Sequence, residues 1–125
     1  MPLARIPKAN TGRRLEAKAL PWNRSRSHLD FIRGLSVCLH CGKVGKTEAA
    51  HIRMGTDGAL GVKPSDRYTV PLLPDCHARQ HQLGEAKFWA DAHIDPTPVA
   101  ERLWAKSGDV QQAFRTIERA QWWRR

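Results

Sequence analysis

The chain has 125 residues, and among them only three cysteines, one tyrosine and no apolar run approaching the roughly 20 residues of a membrane span. The missing run excludes a helical membrane protein. Three thiols are odd in number and too few for a disulfide framework, so they read as free thiols or metal ligands in a reducing compartment. The first ten residues, MPLARIPKAN, lack the apolar segment of a secretory signal, and a cytoplasmic location is expected. Acidic side chains are also scarce, 12 against 21 Lys+Arg, for a formal charge of +9. Such an excess points to a polyanionic partner, nucleic acid being the commonest; a contribution to solubility alone is the plainer alternative.

The charge is unevenly placed. Residues 1–35 hold eight basic and two acidic side chains, residues 36–99 seven of each, and residues 100–125 six and three. A neutral middle therefore lies between basic flanks. With 41% hydrophobic residues the chain can bury a modest core, and a domain this small gains from a metal staple.

Residues 1–27 carry Pro2, Pro7 and Pro21 with no sustained apolar period, which predicts a mobile basic arm. Ser27 can cap a short helix over His28–Arg33 that Gly34 stops. Cys38-Leu39-His40-Cys41-Gly42 follows as a tight knuckle, then a short strand over Thr47–Arg53 and a connection over Met54–Asp66 broken by Gly55, Gly58, Gly61 and Pro64. Tyr68, Val70 and Leu72 alternate as a second strand. Asp75 can cap a helix running to about Ala90, with His77, His81, Gly84 and Phe88 along one side. A further helix begins at Thr97-Pro98 and runs to Lys106. The last carries a stripe of Val110, Ala113, Phe114, Ile117 and Ala120, ahead of Trp122 and Trp123. The organisation expected is an arm over 1–27, a domain over 28–107 and a basic helix over 108–125. The fold class is α+β.

Three groups of residues can carry chemistry. His77 and His81 lie one helical turn apart, so both imidazoles can reach one ion; a solvated polar face is the alternative. Cys38-x-x-Cys41 with Cys76 from a distant element is the usual way to assemble a structural zinc site, against the alternative of three buried free thiols. Because neighbouring helical residues point about 100° apart, Cys76 can turn to the knuckle while His77 faces elsewhere. His40 and Asp75 are candidates for a fourth ligand. His51 ends the first strand, where an imidazole beside a metal is suited to deprotonate water. Arg53 points the same way if the strand persists, and could hold a phosphate oxygen.

The order CxxCG, AHIR, a Gly-rich loop ending in KPSD, then VPLLPDCHxxxH resembles the HNH, or ββα-metal, endonuclease superfamily, and within it the small phage- and prophage-type nucleases. The likeness covers roughly His28–Ser107, taking in HLDFIRGLSVCLHCG before the motif and FWADAHIDPTPVAERLWAKS after it. It implies a small ββα-metal core with flanking helices, and a metal-dependent hydrolase of DNA phosphodiester bonds, RNA not being excluded. By that resemblance His51 matches the general base, His77 and His81 the ligands of a catalytic Mg²⁺, Mn²⁺, Ni²⁺ or Zn²⁺, and Asp66 the residue that ties the intervening loop. Cys38, Cys41 and Cys76 match structural Zn²⁺ positions. Two departures stand out. Ala50 occupies the place of a further metal ligand, so the ion keeps extra waters or borrows a carboxylate such as Asp57 or Asp66. Leu73 stands where related sequences often have the other cysteine of the second zinc half-site. These departures favour the alternative, a DNA-binding or assembly module that has lost catalysis. Arg13, Arg14, Arg24 and Arg26 are expected to contact the nucleic-acid backbone without reading bases. Oligomeric state is left open by the sequence.

Overall fold

A computed structural model describes residues 24–54 and 64–122. The arm with Arg13 and Arg14, the loop carrying Asp57, and Trp123 lie outside the described residues. The described chain is α+β, with five helices and one two-stranded antiparallel sheet. None of these helices is long and apolar enough to cross a membrane.

Helix α1 (Arg26–Gly34) begins two residues earlier than its sequence suggests, because Ser25 rather than Ser27 accepts from the His28 amide. Its inner face buries His28 and Ile32. The chain then folds back on itself in the knuckle, where Val37 bridges Val44, Cys38 N–H donates to Lys43 and Gly42 N–H donates to Cys38. Gly42 has φ +79°, a conformation that suits glycine at the end of such a turn. Leu39 N–H donates to Pro71, so the knuckle hangs on the outer edge of the second strand.

Strands β1 (Glu48–His51) and β2 (Thr69–Leu72) pair with Glu48 opposite Leu72 and His51 opposite Thr69. Strand β1 is shorter than the apolar run predicted. One more ladder bond, Ile52 N–H to Tyr68, follows it. The amides of Arg53 and Met54 then leave the ladder for the carboxylate of Glu85.

The long helix expected after Pro74 is two helices, α2 (Pro74–Leu83) and α3 (Glu85–Ala92), broken at Gly84 with φ +87° and ψ 147°. Glycine reaches that conformation without strain, so the chain turns there and Phe88 and Trp89 swing into the core. Trp89 Nε1–H donates to Gln80 across the break at 2.8 Å, satisfying two buried side chains at once. Helix α4 (Pro96–Ala105) starts at the first of two consecutive cap-proline pairs: Asp95-Pro96 is used, not Thr97-Pro98. Thr97 is thereby released to donate its hydroxyl to the Met54 carbonyl. Helix α5 (Val110–Ala120), capped by Asp109, packs on α4 through Ala113 and Ile117, while Val110 and Phe114 of the predicted stripe stay exposed.

His28 joins α1 to the end of α4, sharing a 2.7 Å hydrogen bond with Ser107 and meeting the Trp104 ring edge-on. Its Nε2 is buried without a partner. Burial pushes its pKa below the ordinary histidine value, the charge of Asp66 opposing. A histidine that resists protonation when folded stabilises the fold above the unfolded pKa, and that stability is lost as pH falls below it. Denaturant titrations at pH 7.5 and 5.5 should therefore show a smaller loss for His28→Asn than for the wild type.

Candidate functional site

The knuckle and the start of α2 bring three thiols together. Cys38 and Cys41 come from the turn and Cys76 from the first turn of α2, and their sulfurs lie within 4.8 Å of one another. Cys38 and Cys76 are buried and Cys41 is half-buried. Three thiolates around a zinc ion at about 2.3 Å would sit slightly closer together than this, so the set fits such an ion. Their proton affinities are unequal. Burial pushes the Cys41 thiol up, but the Lys43 amide, the two neighbouring sulfurs and the Lys43 charge outweigh it and leave Cys41 below the ordinary value. Burial and its sulfur neighbours push Cys76 up to about 12. Of these two thiols, Cys41 is the readier to lose its proton.

Neither fourth-ligand candidate joins them. The His40 ring stacks on Phe88 at 3.8 Å and its Nε2–H donates to the Phe88 carbonyl, and Asp75 is exposed on the first turn of α2. The knuckle is closed on its outer side by Gln121, just past α5, whose Nε2 donates to the carbonyls of Cys38 and Leu39.

One residue on from Cys76, His77 turns to β1 and donates its Nδ1–H to Glu48 at 2.8 Å. His81 lies one turn along α2, its ring centre 5.0 Å from that of His77. No other group of three ligand side chains is as tight as the thiol cluster among the described residues. His77 and His81 thus offer an ion two imidazoles and no closed cage. Glu48 and Ala50 share a face of β1, and Ala50 is fully buried with nothing to donate. The carboxylate that reaches His77 is therefore Glu48, two residues before Ala50, rather than Asp66.

Asp66 is occupied elsewhere. It is 2% exposed, accepts from His51 Nε2 at 2.8 Å and from the Ser25 amide at 2.8 Å, and has the Arg24 guanidinium 3.6 Å away. Since a carboxylate only accepts, the proton of a neutral His51 sits on Nε2 and its lone pair on Nδ1. Arg24 also donates to the Pro64 carbonyl. Asp66 thus links the chain leading into β2 to the end of β1 and the start of α1, and it orients His51. Beside it is a concavity of about 330 Å³ lined by Arg24, Arg26, Leu29, Arg33 and Asp66. Because β1 ends at His51, strand alternation no longer sets Arg53 beside it; Arg53 is exposed and its amide is held by Glu85.

Sequence reasoning brought out His51, Asp66, His77, His81 and the three cysteines but missed Glu48, Glu85, Gln121 and Arg33. Of these only Glu48 carried a signal, as a carboxylate on the same strand face as Ala50. No family model matches the chain, and neither does any curated protein or solved structure.

Zinc binding to the thiols displaces protons, so affinity should fall as pH is lowered. Calorimetry in two buffers of different ionisation enthalpy should show proton release on zinc addition. Cys76→Ser should lose most of the affinity and the accompanying rise in melting temperature.

Proposed function

We propose that this chain is a metal-dependent endonuclease of the HNH type, hydrolysing DNA phosphodiester bonds. The observation that carries the reading is His51: an imidazole at a strand end whose Nε2–H is held by a buried carboxylate, Asp66, which itself lines a concavity with three arginines. Asp66 fixes the tautomer in which Nδ1 can take a proton, and it stabilises the imidazolium that results. Arg26 and Arg33, with Arg24, supply positive charge where a polyanionic backbone would approach.

A divalent ion at His77 and His81 would supply Lewis-acid polarisation of the phosphate and charge for the departing oxygen. The chain's own part is acid–base and positional. His51 Nδ1 removes a proton from water as its oxygen bonds to phosphorus, the P–O3′ bond breaks, and the leaving oxygen takes its proton from solvent. Glu48 holds Nδ1–H of His77, which turns the Nε2 lone pair outward as a ligand. Glu85 gathers the amides of Arg53 and Met54 and so fixes the chain directly after His51. The +9 charge suits a nucleic-acid substrate.

His51→Ala should lower plasmid cleavage by about 10²- to 10⁴-fold with retardation of uncut DNA preserved. Wild-type cleavage rates by this variant in matched metal would remove His51 from the role of base. Glu48→Gln should raise the metal concentration needed for half-maximal cleavage by about 10- to 100-fold, with a smaller change at saturating metal. Arg26→Ala and Arg33→Ala should each reduce the slope of log affinity against log salt by about 0.9 if each neutralises one duplex phosphate.

A second reading, a DNA-binding or assembly module without catalysis, is favoured by the buried Ala50 and the two-imidazole site. Nicking assays with Mg²⁺, Mn²⁺, Ni²⁺ and Zn²⁺ and a chelator control separate the two. Retarded but uncut DNA under every metal is the outcome for the module. A parallel assay on RNA decides the backbone cleaved.

A further inference from the structure

We propose that a metal ion at Cys38, Cys41 and Cys76 keeps its fourth coordination position for an exchangeable donor from solution, a water or a small thiol. The inference does not depend on nuclease activity.

Zinc and cobalt in such sites are four-coordinate, and the chain supplies three sulfurs. All three cysteines and all six histidines lie among the described residues, so every thiol and imidazole has a known place, and among the described residues no carboxylate joins the three sulfurs. His28 meets Ser107 and Trp104, His40 meets Phe88, His51 meets Asp66, His77 meets Glu48, His81 stands beside His77, and His93 ends α3. None of them belongs to the cluster.

The position from which a fourth protein donor would be expected is taken by Leu73. It precedes Cys76 by the same three residues that separate Cys38 from Cys41, and it is the residue from which α2 starts. Its side chain leans onto the knuckle: a Cβ placed on Gly45 would lie 2.9 Å from Leu73 Cδ2. A methyl group cannot ligate; of the three sulfurs, those of Cys38 and Cys76 are buried and that of Cys41 is the half-exposed one. Gln121 caps the carbonyls of Cys38 and Leu39, so the side left for a donor from solution is that of Cys41, where Lys43 and Val44 are exposed. Leu73 thus puts an apolar side chain where a fourth sulfur would stand and leaves that coordination position to solution.

The test uses the full chain, reduced with a phosphine and loaded with Co²⁺. In the wild type, β-mercaptoethanol should shift the visible cobalt bands toward those of a four-sulfur site. Leu73→Cys should show four-sulfur bands without added thiol, should not respond to it, and should bind zinc more tightly by at least the about 10- to 100-fold that even a supporting contact is worth. His40→Phe and Asp75→Asn should leave the wild-type spectrum unchanged. X-ray absorption at the zinc edge of the wild type should give three sulfurs and one oxygen, and this measurement decides if the Leu73→Cys chain does not fold. A spectrum indifferent to thiol, a shift in either of the other variants, a four-sulfur shell in the wild type, or no cobalt uptake would overturn the proposal.

Discussion

A carboxylate removed from water must be satisfied by the groups around it, and Asp66 is the place where that requirement organises this molecule. One oxygen accepts from His51, the other from the amide that opens α1, and a guanidinium stands alongside. Three segments far apart in sequence are thereby fixed relative to one another: the entrance to the first helix, the end of β1 and the chain leading into β2. Removing the carboxylate would strand the Ser25 amide and release the imidazole together. The position of the candidate base and the packing of the first helix are therefore one constraint.

A second carboxylate works in the same manner just past the end of β1. Glu85 is the first residue of α3 and accepts from two successive amides just after the strand. The break at Gly84 makes this contact available, since a continuous helix would carry residue 85 onward along the axis of α2. Glu48, exposed and on the outer part of β1, does for His77 what Asp66 does for His51. Two histidines, each with one nitrogen engaged by a carboxylate, are positioned by partners 15 and 29 residues away.

How much of this could be read from the sequence depends on the range of the interaction. The cysteine cluster was legible because CxxC confines two ligands to one turn, and Cys76 adjoins a helical histidine pair that had to face elsewhere. Helix starts were legible in kind and displaced by two residues where caps compete, as at Ser25 against Ser27 and Asp95 against Thr97. The break at Gly84 was hidden because a glycine inside a helical period is compatible with either continuation or a turn, and the burial of Phe88 and Trp89 decides. Glu85 and Gln121 were illegible for a different reason: each is a polar residue whose role exists only through a partner brought close by folding. Leu73 was legible as a missing donor, but its packing against Gly45 was not.

Gln121 reaches back 83 residues to the Cys38 carbonyl, while Cys76 reaches back from the middle of the chain. The knuckle is local in sequence, yet it is finished only from a distance. Bonds of such separation close large loops, whose entropy must be surrendered before the contact repays it. The turn that looks most self-sufficient on paper is thus completed by the chain just past α5: its outer wall exists only where that segment is docked, so loosening the last helix would uncover the carbonyls of Cys38 and Leu39.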